Sequence, residues 1–574
     1  MQARHAIDLF TRRIAASGRR VAFRHKLDGT WRTLTWNDVD RAAREIAAGL
    51  RSLGLGLGDR VSLLANTRWE WIAADVGILM AGGVTVPIYQ SNLPDQVDYI
   101  VSDSGSKIVI AEDPTQHAKV GAATGARTVM MSGRVDGVMS LAELRAAGQK
   151  WMAANPGALE KAWEEVQPDH IFTIVYTSGT TGPPKGVVLT HKNIVFECRA
   201  LEHVLSIDEN DEQLLFLPLA HIFARILEWT AISRGCATAF AEGIPELIAN
   251  MKEIRPTFMG AVPRVYEKAY MKIQAGFEAQ RKTPAGKTII DWALNVGRML
   301  SREQQAGRAP TLPLAVQARL ANRLVFQKVQ ATFGGRLRYF ISGGAPLARE
   351  IGEFFHSTGI LVLEGYGLTE TTAATNLNRP NAFKFGTVGQ PIPGASVKIA
   401  ADGEVLMRGD NILREYFGKP EATREAIDGD GWFHSGDIGV IDEAGYLRIT
   451  DRKKDIIVTA GGKNVAPQNL EGALKASCPF VSQVMVHGDK RPYLVALITV
   501  NDEVVKATGE NDAKGLIQAA VDKLNTQLPS YETIKKIAIL PQDFAQETGE
   551  LTPTLKVKRK FCSEKYKSVL DGLY

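Results

Sequence analysis

Y-T-S-G-T-T-G-P-P-K-G, Tyr176 to Gly186, follows directly on the apolar run Ile171 to Tyr176. The run has the length and β-branched content of a buried strand. Between Thr177 and Lys185 stand four hydroxyls (Thr177, Ser178, Thr180, Thr181), two glycines (Gly179, Gly182) and one lysine. Glycine lets backbone N–H groups approach an anion closely, hydroxyls donate to phosphate oxygens, and Lys185 adds a mobile positive charge. A strand running into such a loop predicts an anion-binding turn. It is not a Walker A loop, which needs Gly-Lys followed by Ser or Thr; here the lysine follows Pro184 and precedes Gly186.

Outward from this loop, strand and helix patterns alternate. Strands are expected at Arg60 to Ala65, Lys107 to Ala111, Leu214 to Leu217, Thr257 to Ala261, Leu337 to Ser342 and Ile360 to Leu363. Between them lie amphipathic stretches such as Asp38 to Leu53, where Ala42, Ile46 and Leu50 share a face and Gly54 can close the helix. Such alternation implies α/β layers with largely parallel sheet. Residues from about Val265 to Lys328 are rich in Ala, Lys, Arg and Gln and read as a helical insertion. From about 386 to 450 short strands and turns follow closely. Asp402-Gly403 and Ala444-Gly445 are hairpin-type turns, which suggests a small β-rich subdomain. After the charged cluster D-R-K-K-D, Asp451 to Asp455, a compact α+β unit is expected. Residues 1–453 and 454–574 are therefore read as two domains.

The chain of 574 residues carries 68 basic and 63 acidic side chains, a net charge of +5, with 45% hydrophobic residues. These are ordinary globular values. Near-balance of the two signs argues against a nucleic-acid partner held by bulk charge. Four scattered cysteines make neither a disulfide framework nor a zinc site and fit a reducing compartment. No apolar run reaches the roughly 18 residues of a membrane span. The longest, Val76 to Tyr89, is interrupted by Gly82, Gly83 and Pro87. Apolar spacing at Ile7, Phe10 and Ile14 in an Arg-rich N-terminus predicts a first helix packed on the domain, with a transit peptide or membrane-surface helix as the alternative. The basic tail from Lys556 to Lys567 reads as a solvated face.

Four further motifs follow in order: S-G-G-A-P (Ser342 to Pro346), E-G-Y-G-L-T-E (Glu364 to Glu370), W-F-H-S-G-D (Trp432 to Asp437) and L-T-P-T-L-K-V-K-R (Leu551 to Arg559). Together with the phosphate loop, this series resembles the adenylate-forming (AMP-dependent synthetase/ligase) superfamily, which includes acyl-CoA synthetases, luciferases and peptide-synthetase adenylation domains. The resemblance spans about Arg24 to Lys567. It implies a large N-terminal body of two layered α/β sheets plus the β-rich subdomain, and a small mobile α+β C-terminal domain.

By the same resemblance, Thr177, Ser178, Gly179, Thr180, Thr181, Gly182 and Lys185 hold phosphates, while Gly343, Gly344 and Ala345 form the adenine-side turn. Glu364, Gly365, Tyr366 and Gly367 continue the nucleotide site, with Tyr366 stacking on adenine. Thr369 serves the α-phosphate, Glu370 and Thr180 serve Mg²⁺, and Asp437 and Arg452 reach the ribose. Lys556 is the catalytic lysine and Lys454 the hinge. A-G-G-K, Ala460 to Lys463, lines the pantetheine channel through Gly461 and Lys463. Two departures stand out: Ser435 where Thr is commoner, and Leu555 before Lys556 where Gly is usual, the latter looking like the long-chain acyl-CoA synthetase version.

L-P-L-A-H-I-F-A-R, Leu217 to Arg225, matches the family's acyl entrance and makes His221 and Phe223 candidates for its neck. The resemblance implies ATP-dependent activation of a long-chain fatty acid to acyl-AMP, then transfer to coenzyme A, with Mg²⁺ as cofactor. A fatty acyl-AMP ligase loading a carrier protein, and a coenzyme A ligase for medium-chain or aryl acids, are the alternatives. The hinge and pantetheine loop that the resemblance implies favour coenzyme A. A cytoplasmic location is expected, and both peripheral contact with the inner face of a membrane and a homodimer are compatible with the sequence.

Overall fold

The computed structural model describes residues 3–177, 183–508, 510–546, 548–552 and 556–574. Its described residues form two large sheets. One runs Glu415–Tyr416, Lys185–Thr190, Ile171–Thr177, Val84–Ile88, Arg60–Leu64, Ile108–Ala111, Arg127–Met130, Met139–Ser140. It is parallel from Ile171–Thr177 onward and antiparallel only in its first two pairings. The other has nine strands, of which Leu361–Tyr366, Tyr339–Ser342, Phe258–Ala261, Glu212–Leu215, Ala237–Phe240 and Val21–Leu27 run parallel.

One hydrophobic cluster takes residues from both sheets and from helices packed on them. Helix Trp69–Met80 is buried at every residue from Trp71 to Met80. A helix apolar all round must be covered on every side, so the apolar run from Val76 ends a core helix and continues into the buried strand Val84–Ile88. Arg225, at the end of the entrance motif, pairs in the same core with Asp75; the two are 1% and 0% exposed. Thr85 and Trp229 also donate to that carboxylate, at 2.7 and 3.2 Å. The guanidinium lies 4.2 Å from the centroid of the Phe172 ring. A buried charge pair needs such extra donors to offset its desolvation. The result pins the helix Ile222–Arg234, which follows His221, to the first sheet.

The N-terminal helix Ala6–Ser17 buries Ile7 and Phe10 in this core. Four antiparallel strands, Ser396–Ile399, Glu404–Arg408, Phe433–Ile441 and Leu447–Arg452, form a separate sheet. Its turns depend on Gly403 and Gly445 at φ +87° and +81°, a region open to glycine at no steric cost. Beyond Arg452 come a short hairpin, the helix Pro467–Ser477 and a three-stranded sheet with its own hydrophobic cluster. This C-terminal unit touches the body through helix Pro263–Arg281. Arg264 donates to the carbonyl and hydroxyl of Ser482, both at 2.6 Å, and Lys475 bonds Glu267 at 3.1 Å.

Candidate active site

Strands Ile171–Thr177, Tyr339–Ser342 and Leu361–Tyr366 deliver their C-terminal ends to one cavity of about 2410 Å³. The carboxyl ends of parallel strands are where open α/β sheets hold ligands. Thr177 reaches the cavity wall as strand Ile171–Thr177 ends, paired with Lys185 in the antiparallel return strand. Ser178, Gly179, Thr180, Thr181 and Gly182 lie outside the described residues. Around them the loop base is fixed: Tyr176 donates to Asp103 at 2.6 Å, and Tyr99 donates to the carbonyl of Pro184 at 3.0 Å.

Gly343, Gly344 and Ala345 line the cavity at the end of the next strand. Gly344 sits at φ +84°, and a Cβ on Gly343 would stand 3.3 Å from two ring atoms of Phe223. The turn and Phe223 therefore share one wall. Glu364 lies buried beside this turn; burial pushes its carboxyl up to about 8, and the nearby backbone N–H groups of Leu347 and Gly386 oppose the rise. His221 also lines the cavity and accepts the Phe223 N–H at 3.2 Å, capping helix Ile222–Arg234. Burial, with the charge of Lys556 second, pushes the imidazole down to about 3, so it is neutral.

Gly365, Tyr366 and Gly367 lead to Thr369 and Glu370 in a 3₁₀ turn. A Cβ on Gly367 would fall 1.7 Å from the carbonyl oxygen of Ala373. Two and three residues after Glu370, Thr372 and Ala373 adopt φ +56° and +90°. Such conformations cost about 1–3 kcal/mol each and persist only where the surroundings hold them. Asn411 does so: its amide donates to the carbonyl of Thr371 and to Thr375, and its own carbonyl accepts from Thr372 at 2.6 Å. The Leu413 N–H then bonds the carbonyl of Glu370 at 2.7 Å.

The Glu370 carboxylate accepts the Tyr416 hydroxyl at 3.0 Å. Burial raises its pKa, and the Tyr416 bond opposes that rise. The same tyrosine presents its ring to Lys185, whose Nζ lies 5.1 Å from the centroid. Tyr416 thus joins the lysine of the phosphate loop to the carboxylate of Glu370. Neither Tyr416 nor Asn411 was singled out by sequence. R-E-Y-F-G carries no local chemical signature, and Tyr416 reaches the site only through its register opposite Val187.

Asp437 and Arg452 face each other across neighbouring strands, with Arg452 Nε 3.5 Å from Oδ1. The other oxygen accepts the Tyr366 hydroxyl at 2.6 Å. The Asp437 N–H bonds Ser435 Oγ at 3.0 Å, and Ser435 Oγ in turn donates to Val405 at 2.7 Å, so serine supplies the hydroxyl that this position uses. Lys556 enters the same cavity from the far end of the chain. Burial, then the charge of Arg452, pushes its amine down to about 8, against the opposing pull of Asp437 and Glu370. Lys454 lines the cavity at the start of the C-terminal unit, directly after Lys453, which is tied to Asp402 and Glu404 of the β-rich sheet. Gly461 and Lys463 are elsewhere. They sit in the exposed turn between Ile457–Val458 and Asn464–Val465, away from the cavity wall, with Lys463 near the ring of Tyr531.

The described residues contain no group of three or more His, Cys, Asp or Glu able to hold a metal. Glu370 alone fits Mg²⁺ carried in by a triphosphate, since that ion keeps its waters and takes one or two carboxylates plus phosphate oxygens.

Profiles of known families match most of the chain. The AMP-binding enzyme profile covers residues 10–417, and the AMP-binding enzyme C-terminal domain profile covers residues 454–574. The chain is 37% identical to the long-chain-fatty-acid–CoA ligase FadD15 of Mycobacterium tuberculosis, over 96% of this chain and 94% of that one. It is 30% identical to the long-chain-fatty-acid–CoA ligase ACSBG2 of Gallus gallus, over 99% of this chain and 81% of that one. Among solved structures, a Mycobacterium tuberculosis fatty acyl CoA synthetase superposes with a TM-score of 0.63 at 26% identity, over 98% of this chain and 99% of that one.

Proposed function

We propose, because the chain belongs to the AMP-binding enzyme family, that it is a long-chain-fatty-acid–CoA ligase working by way of an acyl adenylate. In the first half-reaction a fatty-acid carboxylate oxygen attacks the α-phosphorus of ATP, and the bond to the pyrophosphate oxygen breaks. Two anions meet in this step, so the site must concentrate positive charge there. In the second half-reaction the coenzyme A thiol attacks the acyl carbon, its proton is lost, and AMP leaves.

One observation carries the reading: Lys556, from the end of the chain, shares a cavity with Asp437, Arg452 and Glu370 and feels all three charges. We assign Lys556 to the meeting point of carboxylate and α-phosphate, Asp437 and Arg452 to the ribose, and Tyr366 and the Gly343–Ala345 turn to adenine. Lys185 and the loop from Thr177 to Gly182 take the phosphates. Thr369 serves the α-phosphate, and Glu370 the Mg²⁺ that accompanies ATP. The neutral imidazole of His221 and the ring of Phe223 stand where the carboxylate enters, and Leu201, Leu205, Ile226 and Leu227 extend an apolar wall beyond them. That wall supports an aliphatic chain.

Residues 1–453 act as the adenylating body and 454–574 as a domain that turns about Lys454. We assign Gly461 and Lys463, exposed and outside the cavity, to the second half-reaction, in which the pantetheine loop is needed. The test is fatty-acid-dependent exchange of labelled pyrophosphate into ATP, over acids from hexanoate to eicosanoate, followed by coenzyme-A-dependent AMP release. Exchange with no acid in this range would refute the assignment.

A further inference from the structure

The helix Leu312–Ala321 and the π-turn Asn322–Phe326 that continues it present the wrong face to water. Leu312 is 79% exposed, Val316 57%, Leu320 49% and Leu324 45%. At spacings of four these side chains form one stripe along the helix, while Leu314, Ala321, Val325 and Phe326 point into the core. Scattered surface leucines need no explanation, whereas a contiguous stripe marks a surface that something covers.

The charge around the stripe says what fits it. Arg319 and Arg323 are exposed beside it, three residues on from Val316 and Leu320, and neither makes an ion pair among the described residues. Residues 281–330 carry nine basic side chains and only Asp291 and Glu303 as acids. That surplus of seven exceeds the whole chain's surplus of five, so the rest of the protein is slightly acidic. The packed neighbouring helix Pro284–Gln305 adds Arg298 and Arg302, both exposed and without ion-pair partners among the described residues, together with exposed Met299. Apolar side chains flanked by unpaired arginines are the two signals that together hold a helix in the interface of an anionic bilayer.

The other basic and amphipathic ends of the chain are already engaged. Ile7 and Phe10 of the first helix are buried in the core. In the tail, Lys556 lines the cavity, Lys565 bonds Glu550 and Lys567 bonds Asp571.

We propose that the face formed by Leu312, Val316, Leu320 and Leu324, with Arg319 and Arg323, docks the protein on an anionic phospholipid surface. This goes beyond the ligase reading and does not depend on it. Helix Pro263–Arg281 connects the two regions: its first turn lines the cavity and its last residue opens the basic stretch. Docking through this face would hold the protein at a membrane, where long-chain acids partition.

The test is co-sedimentation of the full chain with phosphatidylcholine vesicles, with and without phosphatidylglycerol. Binding is expected only to the anionic vesicles, weakening as salt rises from ~0.1 to ~0.5 M. Arg319→Glu with Arg323→Glu should cut partitioning about thirtyfold or more, each lost basic residue near the surface being worth roughly fivefold. Leu312→Ser with Leu320→Ser should abolish it. Both variants should retain the wild-type melting curve and wild-type activity on a water-soluble short acid without vesicles. Equal binding to neutral and anionic vesicles, or variants that bind as the wild type does, would overturn the proposal. So would a wild-type dimer that the leucine variant dissociates, because the stripe would then be an interface between copies.

Discussion

Replacing Tyr416 with phenylalanine removes one oxygen atom and one hydrogen bond, the 3.0 Å donation to Glu370. The ring remains, so the contact with Lys185 at 5.1 Å survives. A hydrogen bond to a charged group contributes about 1.5–3 kcal/mol. Glu370 is half-buried, which puts the loss at the lower end, about tenfold in the rate of adenylation at 1.4 kcal/mol per decade. The sign on pH follows from the same contact. Burial raises the Glu370 pKa and the Tyr416 bond lowers it, so Tyr416→Phe raises it further. The carboxylate is then lost at a higher pH, and the acid limb of the pH–rate profile moves toward neutrality. Pyrophosphate exchange measured from pH 5 to 9 at several Mg²⁺ concentrations reads both effects. A variant with the wild-type acid limb and the wild-type Mg²⁺ requirement would show that Tyr416 does not position Glu370.

Three other outcomes follow from the geometry. The Lys556 amine, pushed down to about 8, loses its charge as pH rises through that value; exchange should fall on this basic limb, while conversion of supplied acyl-AMP by coenzyme A should show no limb there. Gly461 has open space around it, with Thr459 Oγ1 nearest at 3.9 Å, so Gly461→Leu should fold and adenylate normally but block thioester formation, a result that rapid-quench assay of acyl-AMP build-up would detect. Gly367→Ala forces a Cβ to 1.7 Å from a carbonyl oxygen; overpacking of this kind costs about 1–3 kcal/mol, and it should lower both the melting temperature and exchange. Gly276→Ala, in a helix with nothing within 4 Å, should leave both intact.

Much of this arrangement was legible in the sequence because it is local. The strand expected at Ile171 to Tyr176 forms as Ile171–Thr177, and those expected at Lys107 to Ala111 and Leu337 to Ser342 form as Ile108–Ala111 and Tyr339–Ser342. β-branched runs bounded by turn residues carry their own signal. The motifs holding Tyr366, Asp437, Arg452 and Lys556 were equally visible, and they meet in one cavity. What was hidden is tertiary. Tyr416 finds Glu370 across a sheet pairing, and Asn411 finds Thr371 across a loop. Asp75 and Arg225 meet from 150 positions apart. The insertion at about Val265 to Lys328 is helical as expected, but its sequence did not say which residues turn inward: Leu314, Ala321 and Val325 are buried, whereas Leu312, Val316, Leu320 and Leu324 are exposed. Periodicity reveals that a face exists and cannot say which side the rest of the protein occupies.

The central claim is that Lys556 acts in adenylation and has no required part in thioester formation. The most direct measurement is therefore Lys556→Ala in the two half-reactions taken separately. The account predicts that fatty-acid-dependent pyrophosphate exchange is abolished, while supplied acyl-AMP is still converted to acyl-CoA at a rate close to wild type. Equal loss in both half-reactions, or exchange that survives the substitution, would contradict it.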